Sequence, residues 1–500
     1  MRRLALPLAV VALLTAGCSG GTAATTSQAA PTTTTASSIT AAPTTTTTVP
    51  SPSPLTGVGD ARGLGDSLYP DLGNAGYDVD HYTVDLTWEP TTTSLTTLVT
   101  VDARAVAPLE TFSLDFSGFD VGEVTMATVP VEYARDGAKL RVSPAAPIEA
   151  GEAFSVEILY SGVPTPVSSP AISVPVGWIG ADDGTQYVVA EPDAAHSWFP
   201  CNDHPLDKAT YTFKITVPGS LIAAANGVLV DEITDLGAST WVWEMDQPMP
   251  TYLATVVIGD FDIVDDPTSS EASGVPVRNV LPVDLATDPP ASLALQGDML
   301  AFLAELFGPY PFAASGIAIV PGFDAALENA TLPLVGRDFA TPDEVFETVA
   351  IHELAHQWIG DSVTVGDWGD IWLNEGFATY TEWLWLAHRH GDAALASAVE
   401  RTYAQMAAAG YPPPGDPPAD DLFNSSVYLT GALTLHALRL EIGDEAFFAT
   451  LRAYADRYAG GNVVTADFVA VAEEVSGRDL GAFFDAWLHG QALPDLPDGQ

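Results

Sequence analysis

The spacing of apolar residues changes once along this chain, and that change limits what the chain can fold into. From about Gly65 to Val264 the spacing is two. Tyr82, Val84, Leu86 and Trp88 alternate with polar residues, as do Tyr211, Phe213, Ile215 and Val217 with Thr210, Thr212, Lys214 and Thr216. Alternation punctuated by Pro and Gly specifies half-buried antiparallel strands, so one all-β domain is predicted over 65–264. From about Ala291 the spacing becomes helical. Leu293, Leu300, Leu303 and Leu306 predict a helix that stops at Gly308-Pro309, Ile317 to Val320 a short buried strand, and helices dominate afterwards. The expected fold is therefore multidomain α+β: an N-terminal antiparallel β domain, then a mainly α-helical domain with a small sheet over 265–492. With 500 residues, 47% of them apolar, the chain can bury two such cores.

The N-terminal residues read as a targeting segment. Arg2 and Arg3 precede an apolar run, Leu4 to Ala16, that is too short for an ordinary membrane span. It leads into Leu14-Thr15-Ala16-Gly17-Cys18, which resembles a bacterial lipoprotein box. That resemblance implies a signal peptide over 1–17, lipidation of Cys18, and an exported protein anchored to the outer face of the cell membrane. The alternative is plain secretion. Ser19 to about Pro54 is almost entirely Thr, Ala, Ser and Pro. Such a stretch cannot bury enough apolar surface to fold, so 18–64 is expected to be a disordered tether.

The charge balance narrows the function classes. There are 17 basic and 65 acidic residues, a formal charge of −48. Nucleic acid and anionic membrane surfaces are poor partners for such a chain. Cys18 and Cys201 are the only cysteines, so no disulfide framework exists, and Cys201 is expected to be a small buried apolar side chain.

One motif carries chemistry. Thr341-Pro342-Asp343-Glu344 predicts a helix start, with Thr341 as cap, Pro342 at the first helical position and Glu344 completing a capping box. The helix should continue to about Gly360 and carries His352-Glu353-Leu354-Ala355-His356. Histidines four apart share one helix face, so both imidazoles can reach one ion. Glu353, on the neighbouring face, can hydrogen-bond water at that ion without being its ligand. These are the needs of a hydrolytic zinc site, one ion per chain. A third ligand is expected from Glu375, with eighteen residues between it and His356. Glu375 lies in Trp372-Leu373-Asn374-Glu375-Gly376-Phe377-Ala378, which predicts the start of a second helix running to about His390 and stopped by Gly391. Ile359 and Ser362 stand where a metzincin would have glycine and histidine, which excludes that class.

His352 to Gly360, the eighteen-residue gap and the segment around Glu375 resemble zinc aminopeptidases related to aminopeptidase N and leukotriene hydrolase. So does Glu191-Pro192-Asp193-Ala194-Ala195-His196-Ser197-Trp198-Phe199-Pro200-Cys201-Asn202-Asp203-His204-Pro205. The resemblance covers about residues 70 to 490 and implies a thermolysin-like catalytic domain. It also implies three further roles. Glu328, just after the strand Ile317 to Val320 read as a sheet edge, is expected to bind a substrate's free α-amine, although Ala325 and Leu327 replace the family's glycine and methionine. Glu191 is expected to share that amine, and Tyr428 to stabilise the oxyanion, although Thr430 replaces a family lysine. Together they imply cleavage of the N-terminal residue from peptides with a free N-terminus. The rival readings are a zinc endopeptidase of the same fold, an epoxide hydrolase, and a non-catalytic lipoprotein that binds peptides.

Overall fold

The computed structural model describes residues 63–410 and 412–497. Cys18, the signal peptide and nearly all of the predicted tether lie outside them.

The alternating segments form an eight-stranded sheet. Its order is Val228–Asp235, Ala238–Pro250, Lys208–Pro218, Tyr77–Glu89, Ser94–Ala105, Ala153–Gly162, Asp120–Met126 and Val129–Pro130. Lys208–Pro218 shows why the period mattered: its odd-numbered residues from Ala209 to Val217 are buried and the intervening ones half-buried. One pairing differs from the antiparallel expectation. Tyr77–Glu89 runs parallel to Lys208–Pro218, with His81 opposite Thr210. Alternation specifies which face of a strand is buried but carries no information on its direction.

A second sheet of the same domain, in the order Ile222–Ala225, Val256–Gly259, Gln186–Val189, Pro175–Gly180 and Val167–Ser168, carries the chain directly to Glu191. The adjoining strand Phe261–Asp265 pairs with Arg278–Pro282 and so belongs to the sheet of the second domain. That sheet runs Phe261–Asp265, Arg278–Pro282, Ala318–Val320, Leu334–Gly336, Ala326–Leu327. Here the structure corrects the sequence reading. Ala318–Val320 is flanked on both sides, by Arg278–Pro282 and by Leu334–Gly336, and the edge is Ala326–Leu327, immediately before Glu328.

Three helices frame the site: α1 (Asp343–His356), α2 (Trp372–His390) and α3 (Ser425–Ile442). The predicted capping box does not form. Pro342 has extended backbone angles and is the cap itself, with no side-chain cap bond, so Glu344 is one position early for the reciprocal contact. Asp343 instead accepts hydrogen bonds from the amide and hydroxyl of Ser292, 2.9 and 2.8 Å long, tying the helix start to a neighbouring segment. Helix α1 ends at His356, four residues earlier than expected, and the chain turns through Gly360 at φ +133°. The end of α2 is as read: Gly391, at φ +87°, follows His390. Among the described residues no helix is long and apolar enough to cross a membrane.

Candidate metal centre and active site

Helix α1 presents His352 and His356 on one face, and the first turn of α2 brings Glu375 between them. Glu375 Oε2 lies 3.4 Å from His352 Nε2 and 3.6 Å from His356 Nε2. Two ligands each about 2.05 Å from one tetrahedral zinc lie about 3.3 Å apart, close to both distances from Glu375. All three ligand atoms lie within 4.8 Å of one another, so the set could hold one ion. The remaining ring nitrogens are engaged elsewhere. His352 Nδ1 is 2.7 Å from Glu382 Oε1, and His356 Nδ1 is 3.2 Å from the carbonyl oxygen of Ile359. With Nδ1 donating to these acceptors, each Nε2 lone pair faces the centre, the tautomer a zinc ligand needs.

Glu382 was not singled out by the sequence reading. It lies seven residues after Glu375, two turns further along the same face of α2, and that spacing was the available signal.

Burial and charge divide the carboxylates. All three ligands and Glu353 are buried. For Glu375 burial acts upward, but the two imidazoles outweigh it and hold the carboxyl at about 2. Burial pushes Glu353 up to about 8 against the downward pull of His352 and His356. Ionised, Glu353 is therefore a strong proton acceptor.

The same cavity is lined by Glu191, Glu328 and Tyr428, so every candidate among the described residues converges on it. Glu191 and Glu328 are 7% and 2% exposed, and one oxygen of each, Oε1, has no hydrogen-bond partner within the chain. Burial raises both carboxyls, and repulsion from Glu328 raises Glu191 further. A buried carboxylate pair is costly unless a cation meets it. The backbone at Glu328 is rigidly placed: Gln357 Nε2 donates to its carbonyl at 2.8 Å, and Gln357 Oε1 accepts from the Thr331 amide at 2.7 Å. Tyr428 lies in the first turn of α3, its ring 6.2 Å from that of His352 and nearly parallel to it. Burial and then Glu375 raise its phenol well above the ordinary range, so it holds its proton.

Cys201 is free, fully buried, and its thiol is pushed up by burial, as expected of a packing residue.

Comparison with known proteins places this geometry. The profile of the peptidase family M1 domain matches residues 292–487, and that of the peptidase M1 N-terminal domain matches 78–253. An M1 zinc metallopeptidase from Deinococcus radiodurans is 33% identical, with a TM-score of 0.80, over 88% of this chain and 99% of its own. The same match extends to a point mutant of that enzyme bound to a Tyr-Ser-Ala substrate, 33% identical with a TM-score of 0.80 over 87% of this chain and all of the other. Aminopeptidase M1 of Arabidopsis thaliana is 29% identical over 61% of this chain and 36% of its own length. Aminopeptidase N of Streptomyces lividans is 30% identical over 61% of this chain and 38% of its own length. The chain thus spans little more than a third of these two relatives.

Proposed function

This chain belongs to peptidase family M1 and is a zinc metallopeptidase, and we propose that it is an aminopeptidase that removes the first residue of peptides with a free N-terminus. The observation that carries this reading is the pair Glu191 and Glu328: two buried carboxylates, each with an unpartnered oxygen, lining the same cavity as the ligand set. A substrate ammonium supplies the missing donors and positive charge. Bound there, it sets how far the first peptide bond lies from the metal, so that bond alone is presented.

In this reading His352, His356 and Glu375 hold one zinc ion. When bound, zinc supplies Lewis acidity, acidifying water and polarising a carbonyl. Glu353 takes the proton from the attacking water and returns it to the leaving amine. The Tyr428 hydroxyl, still protonated, donates to the carbonyl oxygen as negative charge develops on it. The free edge of Ala326–Leu327 accepts the substrate backbone as an added strand and leads it to Glu328.

The test is a matched pair of peptides, one with a free amine and one acetylated. The aminopeptidase reading expects cleavage after the first residue of the free peptide and none of the acetylated one. Internal cleavage of the acetylated peptide would establish an endopeptidase instead. For the N-terminus we propose that Cys18 is lipidated after removal of 1–17 and anchors the exported enzyme to the membrane. Mass spectrometry finding an unmodified Cys18 in the mature protein would overturn that.

A further inference from the structure

Lys208 opens the strand Lys208–Pro218 of the first domain, yet its ammonium reaches into the second. Nζ donates to three backbone carbonyls, those of Asp361 at 3.2 Å, Ser362 at 2.9 Å and Gly461 at 2.9 Å. Burial lowers the Lys208 amine to about 7, with Asp361 opposing, and the three acceptors match the three N–H groups of its protonated form. Two of them lie in the loop that follows α1, and the third precedes Asn462–Val463, the strand that pairs with Thr364–Val365 of that loop. Asn462 Nδ2 adds a bond of 2.9 Å to the carbonyl of Pro205, so the same junction is tied a second time, to the segment just before Lys208.

The loop held in this way is folded around His356. The Asp361 amide donates to the His356 carbonyl at 2.9 Å, and the Gly360 amide to Val363 at 2.8 Å. His356 Nδ1 meets the Ile359 carbonyl at 3.2 Å. A side chain at Gly360 would come within 3.0 Å of the same ring nitrogen. The imidazole is therefore set by a short backbone arch, with His356 at one end and the Lys208 contacts at the other.

We propose that Lys208 is a positioning residue of the metal centre, a strut by which the β domain fixes the arch that orients His356. This rests on reading His352, His356 and Glu375 as the zinc ligands. Without the ammonium, the carbonyls of Asp361, Ser362 and Gly461 lose their shared donor and the arch gains freedom. The Ile359 carbonyl then no longer holds the His356 ring with Nε2 toward the ion. Outer contacts of this kind tune affinity because they set ligand orientation before the metal arrives. The arrangement also makes the β domain part of the metal site, although it supplies none of the three ligands.

The experiment is zinc competition against a chelator, on the full chain, for wild type, Lys208→Met, Lys208→Gln and Val217→Ala. Val217 is buried at the far end of the same strand, so its truncation weakens the domain without touching the arch. Lys208→Met should raise the zinc dissociation constant about tenfold, the lower end of the range for outer-shell partners. Lys208→Gln, whose amide still offers two donors from a shorter stem, should fall between. Val217→Ala should lower the melting temperature and leave zinc affinity within about twofold. Zinc affinity of Lys208→Met equal to wild type would overturn the proposal, as would an equal loss in Val217→Ala at the same melting temperature. If Lys208→Met does not fold, Lys208→Gln decides by the same criterion. A wild-type chain without measurable zinc affinity would instead overturn the zinc reading itself, and the strut with it.

Discussion

Gly376 and Gly431 meet backbone to backbone: a Cβ on Gly376 would lie 2.9 Å from the Cα of Gly431, and one on Gly431 would lie 2.9 Å from the Cα of Gly376. Each glycine adjoins a site segment, Gly376 next to Glu375 and Gly431 three residues after Tyr428. The contact is what lets the first turns of α2 and α3 approach closely enough to share a cavity. Because the obstructing atoms are main chain, neither side can yield by changing rotamer. Gly376→Ala should therefore destabilise the protein by about 1–3 kcal/mol, as overpacking does. It should also lower kcat, by moving Tyr428 relative to Glu375. Thermal unfolding and steady-state kinetics on the variant check both, and an unchanged melting temperature would contradict the geometry.

Glu353→Gln should retain zinc and lose turnover by roughly 10²–10⁴-fold, because the amide keeps the shape but accepts no proton. Metal content and activity are to be measured on the same preparation. Activity surviving within about tenfold would remove Glu353 from the role of base.

Tyr428→Phe should reduce kcat by about 10²–10³-fold with little change in KM, since the hydroxyl acts on charge present only in the transition state. A change confined to KM would assign the hydroxyl to ground-state binding.

Glu382→Gln should weaken zinc binding by about 10–100-fold, because the carboxylate 2.7 Å from His352 Nδ1 both fixes the ring and raises its basicity. Chelator competition measures this directly. Unchanged affinity would mean that packing alone orients His352.

Removing zinc with a chelator should abolish hydrolysis and lower the melting temperature, since an ion that binds only the folded chain stabilises it by mass action. Restoring zinc should recover both. Hydrolysis that persists without metal would contradict the zinc mechanism.

What the residues alone determined was local. Helical periodicity puts His352 and His356 on one face of α1 because they are four apart, and Gly391 ends α2 because no other residue takes its backbone angles as cheaply. Alternation from Tyr211 to Val217 named the buried face of a strand. The seven candidates among the described residues, Glu191 and Glu328 included, were named by motif, yet motif could not say that the two glutamates are buried with unpartnered oxygens. Everything that depended on a distant neighbour had to come from tertiary structure. Ala318–Val320 is central and Ala326–Leu327 is the edge only because Arg278–Pro282 and Leu334–Gly336 close on either side of the former. The parallel pairing of Tyr77–Glu89 with Lys208–Pro218 joins strands more than a hundred residues apart. Glu382 became a partner of His352 only once α1 and α2 had chosen the faces they turn to each other. Lys208 carries no local signal of its role, which exists only because three carbonyls of another domain surround its Nζ. Periodicity, capping and ligand spacing act within a few turns of one segment. Edge position, strand direction and outer-shell contacts arise from which segments pack together, and a single segment does not carry that information.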